Sequence, residues 1–496
     1  KKYTFDSVNR RVQMTDAEGG STSSQHDGVG NLTVLTDPNG NSTQFGYDAD
    51  NRKSTMTDAR GGLTGYQYDG VGGVTQVIDA KTNSTLYAYD KVNRPVTVTN
   101  ADTFSTIYQY DPVGNRMAII DANNHSTSYQ YDVLNRLLSE TDAIGNFVKS
   151  GFDAVGNVIS KTDSKGTRVM KYDGNHRLVE DDLTDGKKIN NSFDAGSRVT
   201  QVTDWNGNYQ FAYDQLNRLS QKTVPGGKTI KHTYDAAGNE TARTDFLGGK
   251  YTYHYDTINR AVQVTDPLGG ITGITYDKTK NVLQYHYPNN TSVVNTYDPT
   301  YDILSTVNKK DSGEVINQFK YQYDAVGNKK NVTDNLGETA YGYDNIYQLT
   351  SVQYPERPAE SYTYDPVGNR LTMTVGTQTN NYSHNNANMM LSAGAENLTY
   401  DGNGNLVKKV NGSQTTQYAY DTENHLAQVT LPDSTKSIFG YDYTGLRISD
   451  TEPLSNGSLE TKQFFWNDND VVNEESPKIG LSYNVLNGMN LSKSKV

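Results

Sequence analysis

The chain has 496 residues, a net charge of −12 and no cysteine. Disulfide frameworks and Cys-ligated zinc or iron–sulfur sites are therefore excluded, and no basic cluster marks a nucleic-acid interface. Hydrophobic residues make up only 34% and mean hydropathy is −0.75, too polar for several thick two-layer cores, yet 37 Tyr and 12 Phe set the chain apart from a disordered one.

From the first residues, which fall in mid-pattern with no signal peptide and read as a piece of something longer, an aromatic followed by Asp recurs. It stands at Phe5, Tyr47, Tyr68, Tyr89, Tyr110, Tyr131, Phe152, Tyr172 and Phe193. It continues at Tyr213, Tyr234, Tyr255, Tyr276, Tyr297, Tyr323, Tyr343, Tyr364, Tyr400, Tyr420 and Tyr441. His26, His384 and Trp466 take the aromatic's place where further units are due, and both histidines are expected to be structural. Of the 22 steps, fourteen are 21 residues and five are 20; the exceptions are 26 (from Tyr297), 16 (from His384) and 25 (from Tyr441).

Each unit carries two turn signals. One follows the aromatic, as in Asp27-Gly28-Val29-Gly30 and Asp111-Pro112-Val113-Gly114; the other comes ten residues on, as in Asp37-Pro38-Asn39-Gly40 and Asp266-Pro267-Leu268-Gly269. Asp at the first position accepts backbone N–H bonds, and Gly or Asn at the fourth tolerates the left-handed conformation, which gives a type I turn with a bulge. About six residues separate the turns, a common strand length. The prediction is all-β: tandem antiparallel hairpins, some 44–46 strands over residues 1–466, in a long sheet that spirals into a hollow shell or open barrel. The recurring Tyr-x-Tyr-Asp pattern, as at Tyr66/Tyr68 and Tyr129/Tyr131, predicts ring ladders across successive hairpins. Turn ends alternate between Asn-Arg (Asn9-Arg10, Asn51-Arg52) and Gly-Asn (Gly30-Asn31, Gly114-Asn115), a dyad of 42 residues in which Arg is expected over a neighbouring Tyr or on a turn Asp. The 26-residue step predicts a longer hairpin near Lys309–Gly313, and the 16-residue step a shortened one. At ~4.8 Å per strand the ribbon makes one circle ~67 Å across or two stacked turns of ~33 Å.

Lines such as YDPVGNRMAIIDANNHSTSYQYD from Tyr110 and YDPVGNRLTMTVG from Tyr364 closely resemble the consensus of YD repeats, also called RHS repeats, and the likeness runs along essentially the whole chain. That family includes bacterial Rhs and wall-associated proteins, the shells of insecticidal toxin complexes and teneurins. The resemblance implies a hollow β shell, in polymorphic toxins closed around a C-terminal toxin domain. Residues 467–496 resemble the degenerate end of the array leading toward a core-associated region, but show neither a recognisable cleavage motif nor a toxin domain.

Other readings fit less well. A propeller of 42-residue blades would need about eleven of them, beyond the usual range, and a parallel solenoid does not explain two hairpin turns per unit. No nucleophile elbow, P-loop, HExxH or dinucleotide fingerprint occurs, so no enzyme, cofactor or metal site is expected. Asn467-Asp468-Asn469-Asp470 resembles part of a calcium loop but lacks its spaced Gly and Glu. Two functions remain: a secreted shell enclosing a toxin or other cargo polypeptide, or an extracellular adhesion or filament module binding surface glycans, partner proteins or copies of itself. Neither needs a nucleic acid or a membrane span.

Overall fold

A computed structural model describes residues 1–454 and 457–476 with their side chains, and the backbone of 479–486 and 489–495. Every regular element among these residues is a β-strand, 48 in all, each paired antiparallel with the next in a single meander. The all-β hairpin array is as predicted, with the strand count slightly above expectation because the meander continues through Asp470–Ser476, Ile479–Leu486 and Met489–Lys495.

The Asp turn acts as the sequence suggests. Asp6 Oδ1 accepts from Val8 N (3.0 Å) and Arg10 N (2.9 Å), and Asn9 takes φ +63°. The Arg10 amide, with the Arg10 side chain and the Val8 amide, holds the Asp6 carboxyl below its ordinary value. A bulge follows each aromatic. It also explains why the aromatic is tyrosine. Leu63–Tyr68 pairs with the preceding strand only over Leu63–Gly65. The Lys53 carbonyl therefore lies beyond that ladder, and Tyr68 Oη donates to it at 2.7 Å. The same bond, fifteen residues back, is made by Tyr47, Tyr89, Tyr110, Tyr234 and Tyr441. His26 and His384 occupy the same bulged position, so the structural reading of both holds.

The dyad has a geometric cause. Arg52 Nε pairs with Asp48 at 2.7 Å, Nη1 donates to the Asp69 carbonyl of the next turn at 3.0 Å, and the guanidinium lies 4.8 Å from the Tyr68 ring. Arg94 repeats this with Asp90, Asp111 and Tyr110. In the alternate turn the shorter Asn115 bonds Asp111 and reaches Asn135 Oδ1 (2.8 Å). The long side chain thus meets a turn with Gly in the left-handed position, and the short one meets a turn whose Asn supplies the acceptor.

The predicted ring-on-ring ladder needs correction. Opposite Tyr66 stands Val77, opposite Tyr108 Ile119, and opposite Tyr253 Val264. Tyrosines of successive hairpins are two strands apart, ~9.6 Å, too far to touch, so the intervening rows are aliphatic and arginine. The irregular steps fall as expected. Ile303–Lys310 and Val315–Tyr323 form a lengthened hairpin, while Met390–Ala393 and Glu396–Tyr400 form a short one.

Candidate functional site

In a repeat wall the site to look for is where the wall closes on itself. Among the described residues, extensive strand contacts occur only between chain neighbours, and no second sheet packs across the ribbon. Instead, side chains some 240 residues apart meet at the turns. Glu18 accepts from Thr257 N (3.2 Å), Asn39 Nδ2 donates to Asp277 (2.8 Å) and Thr279 (2.9 Å), and Asn123 Nδ2 donates to Asp365 (2.9 Å). Asn403 joins Ser164 and Asp163, and Trp205 Nε1 donates to the Tyr441 carbonyl at 3.1 Å. Each of these contacts keeps one order: the turn ten residues beyond the aromatic in the first half of the chain meets the aromatic-Asp turn of the second half. The ribbon therefore winds into two stacked coils joined along one seam. From Glu18 to Thr257 is about 23 strands, a circumference of ~110 Å and a diameter of ~35 Å. Of the two circles the sequence allowed, the structure takes the narrower.

The seam is electrostatic in its first half. Arg60 Nη2 contacts Asp298 (2.9 Å), Asp302 and Thr300, Nη1 donates to the Asp324 carbonyl (3.0 Å), and the guanidinium lies 5.6 Å from the Tyr323 ring. Lys81 pairs with Asp324 at 3.0 Å. Lys165 donates to the Asp421 carbonyl, and Arg168 bridges Asp181 (2.7 Å) and Glu423. Tyr301 and Tyr347, both in the left-handed turn position (φ +73° and +69°), donate to Asp37 and Asp79. Toward the end the seam turns apolar: Phe246 packs on Phe465 with centroids 5.5 Å apart, in a cluster with Ile230 and Val472. Burial alone would raise Asp277, Asp324 and Asp365. The hydrogen bonds they accept, among them those from Asn39, Lys81 and Asn123 across the seam, outweigh it and hold all three below the ordinary value.

Sequence reasoning missed these residues, although a signal was present. Through Arg260 eight turns carry a balancing Arg four residues after Asp, including Arg10, Arg52, Arg94, Arg136, Arg198 and Arg218. After Arg260 that place holds Asn281, Asp302, Asn328, Gln348, Asn369, Met389, Asn405, His425 and Leu446. In the second coil part of the charge comes from across the seam, which removes the need for an Arg within the turn. The aliphatic third turn position tells the same story. Ile258, Val326, Ile346 and Val367 are partly covered. Their counterparts on the first coil's outer edge are 63–79% exposed: Val8, Val29, Val71, Val92, Val113, Leu134, Val155 and Leu216.

Asn467–Asp470 is a hairpin turn with Asp468 at φ +51°. Among the described residues no group of three or more His, Asp or Glu is placed to hold a metal ion, and no helix is long and apolar enough to cross a membrane.

A two-coil β-hairpin wall of this kind defines a shell-forming repeat protein. The RHS repeat model matches residues 26–63, 110–146, 213–250 and 234–272, and the Teneurin YD-shell model matches 333–474; the chain belongs to the YD/RHS-repeat family. Among solved structures it is similar to TcdB2-TccC3 without hypervariable C-terminal region (15% identity, 97% of this chain and 31% of that one, TM-score 0.79). It is also similar to TcdB2-TccC3-Cdc42 (16% identity, 97% and 32%, TM-score 0.65) and to TcdB2-TccC3 (14%, 97% and 39%, TM-score 0.53). The chain thus spans about a third of the length of the structures it matches. No curated protein matches its sequence.

Proposed function

We propose that this chain is wall, without catalytic function: a segment of a secreted, extracellular shell that encloses a cargo polypeptide, of toxin or other kind. The observation that carries this reading is the seam. Two coils ~35 Å across are joined edge to edge by their turns, and among the described residues all extensive strand pairing runs along the ribbon. Such a wall surrounds a space that needs a filling. In this reading residues 1–466 are the wall and 467–496 its run-out toward a closing element. The aliphatic edge of the first coil is where further wall attaches, since the same turn position is covered wherever two coils meet. The matched structures include TcdB2-TccC3-Cdc42 and TcdB2-TccC3 without hypervariable C-terminal region, and that likeness supports the reading.

An adhesive surface has less support. The tyrosines a glycan would stack on are largely half-buried, with many hydroxyls already bonded to backbone carbonyls.

Encapsulation is tested on the full-length native polypeptide containing this wall. Sequence downstream of the wall should resist proteinase K, and should become digestible when the seam is opened by Arg60→Asp with Lys81→Asp. Equal digestion of that sequence in both proteins would reject enclosure.

A further inference from the structure

Where the seam turns from charged to apolar, the two coils leave a cavity of about 280 Å³ between them. The first coil supplies Tyr209, Lys222 and Val224 to its lining, and the second supplies Gln463, Phe464 and Trp466. Asn206 and Asp442, which also line it, are already committed, Asn206 Nδ2 donating to the Tyr441 carbonyl at 2.9 Å. Asp442, 3% exposed, caps its own turn by accepting from Thr444 N (2.9 Å) and Leu446 N (3.1 Å), and Trp466 Nε1 donates to the Arg447 carbonyl at 2.9 Å. Lys222 is different. Its Nζ donates to the Trp466 carbonyl at 3.3 Å, and among the described residues no carboxylate lies within ion-pairing distance; Asp442 and Asp468 act on it only from farther off. An ammonium has three donors, so Lys222 brings unused hydrogen-bonding capacity to a cavity whose lining mixes aromatic and aliphatic side chains with polar ones. Burial lowers its pKa, as expected of a cation without a counter-charge. A small concave site that combines apolar side chains with a few convergent polar groups is the usual form of a ligand pocket.

We propose that this cavity binds a small ring bearing a carboxylate, with the carboxylate accepting from Lys222 Nζ and the ring lying against Phe464 and Trp466. The volume admits one ring, or two small ones. Because the lining comes from both coils, the ligand also ties them together, and binding stabilises the seam by mass action. The proposal does not depend on what the wall encloses.

The protein supplies its own reporter. It has two tryptophans, and in a Trp205→Phe background Trp466, in the cavity wall, is the sole tryptophan and is excited selectively at the red edge, beyond tyrosine absorption. Three probes are titrated against the whole chain by Trp466 emission and calorimetry: cyclohexanecarboxylate, glucuronate and the uncharged cyclohexanecarboxamide. Saturable binding of at least one carboxylate is expected, with cyclohexanecarboxylate alone pointing to an apolar ring and glucuronate alone to a sugar acid. The amide should bind at least tenfold more weakly. Lys222→Met should weaken carboxylate binding at least tenfold, Lys222→Arg should retain it, and Val224→Phe, which fills the cavity without touching the amine, should abolish it. A circular dichroism spectrum matching the parent confirms that each variant is folded. Absence of saturation by both carboxylates at tens of millimolar, equal binding of acid and amide, or unchanged binding in folded Lys222→Met overturns the proposal.

Discussion

Replacing Arg60 by Met removes the most connected cation of the seam while keeping most of the stem's volume. Three things are lost together: the contacts to Asp298, Asp302 and Thr300, the bond to the Asp324 carbonyl, and the guanidinium over Tyr323. Removing one partner of a fully buried ion pair costs roughly 3–5 kcal/mol, because the other charge is left uncompensated. Here the Asp298 side chain is 8% exposed, but Arg60 is 21% and Asp302 37%, so water screens part of the loss and about 2–3 kcal/mol is expected. The damage should stay local, since repeat arrays couple mainly to neighbours. Hydrogen exchange should speed up in the turns around 58–62, 298–302 and 324–328, and remain at parent level around Asp142–Asn146 and Phe465. Asp298→Asn combined with Arg60→Met should cost less than the two single changes added, with a coupling of about 1–2 kcal/mol. Unchanged exchange across these turns, or loosening along the entire first coil, would refute an Arg60-centred seam.

Three further outcomes are expected. Asp277, Asp324 and Asp365 are held below the ordinary carboxylate value in the fold, so the stability they contribute is present above the unfolded value of about 4 and is lost as pH falls through their lower folded values; the protection of seam amides, taken relative to the intrinsic exchange rate at each pH, should be steady from about pH 5 to 8 and fall below about pH 4. Tyr253, 3% exposed, should cost roughly 3–5 kcal/mol on replacement by Ala, whereas Tyr131→Ala should cost only about 1–2 kcal/mol, because that ring is half-buried and its hydroxyl bonds one carbonyl at 3.1 Å; denaturant titration of both variants measures the difference. Trypsin should cut first at Lys309 or Lys310 in the lengthened hairpin, and early cleavage in a seam turn such as Arg60 instead would count against the stacked coils.

The repeat, its two turns and the role of Asp are legible in the sequence because each is local: Asp-x-x-Gly dictates a turn wherever it stands, and the period counts the hairpins. The Asn-Arg and Gly-Asn alternation is legible for the same reason, since Arg52 reaches only as far as the next turn. The winding is not local. Whether about 23 or all 48 strands make one circle depends on twist and tilt summed over the ribbon, and on which distant turns fit together. Arg60 and Lys81 look like ordinary turn residues until Asp298, Asp302 and Asp324 are seen beneath them. The disappearance of Arg after Arg260 marks the start of the second coil, but it carries meaning only once the seam is known. The ladder of rings is absent for a simpler reason: a period of one hairpin sets tyrosines two strands apart, and the strand between keeps them from touching.

The absence of cysteine makes the winding itself directly testable by paired cysteines and a short thiol cross-linker. Asn39 meets Thr279 at 2.9 Å, and Ser164 meets Asn403. The doubly substituted proteins Asn39→Cys/Thr279→Cys and Ser164→Cys/Asn403→Cys should therefore each give an intramolecular cross-link, identified by mass spectrometry of the digested monomer. The exchanged pairs, Asn39→Cys/Asn403→Cys and Ser164→Cys/Thr279→Cys, should give none. Two stacked coils of about 240 residues predict that pattern. No cross-link in either cognate pair, or links in the exchanged pairs, would contradict it.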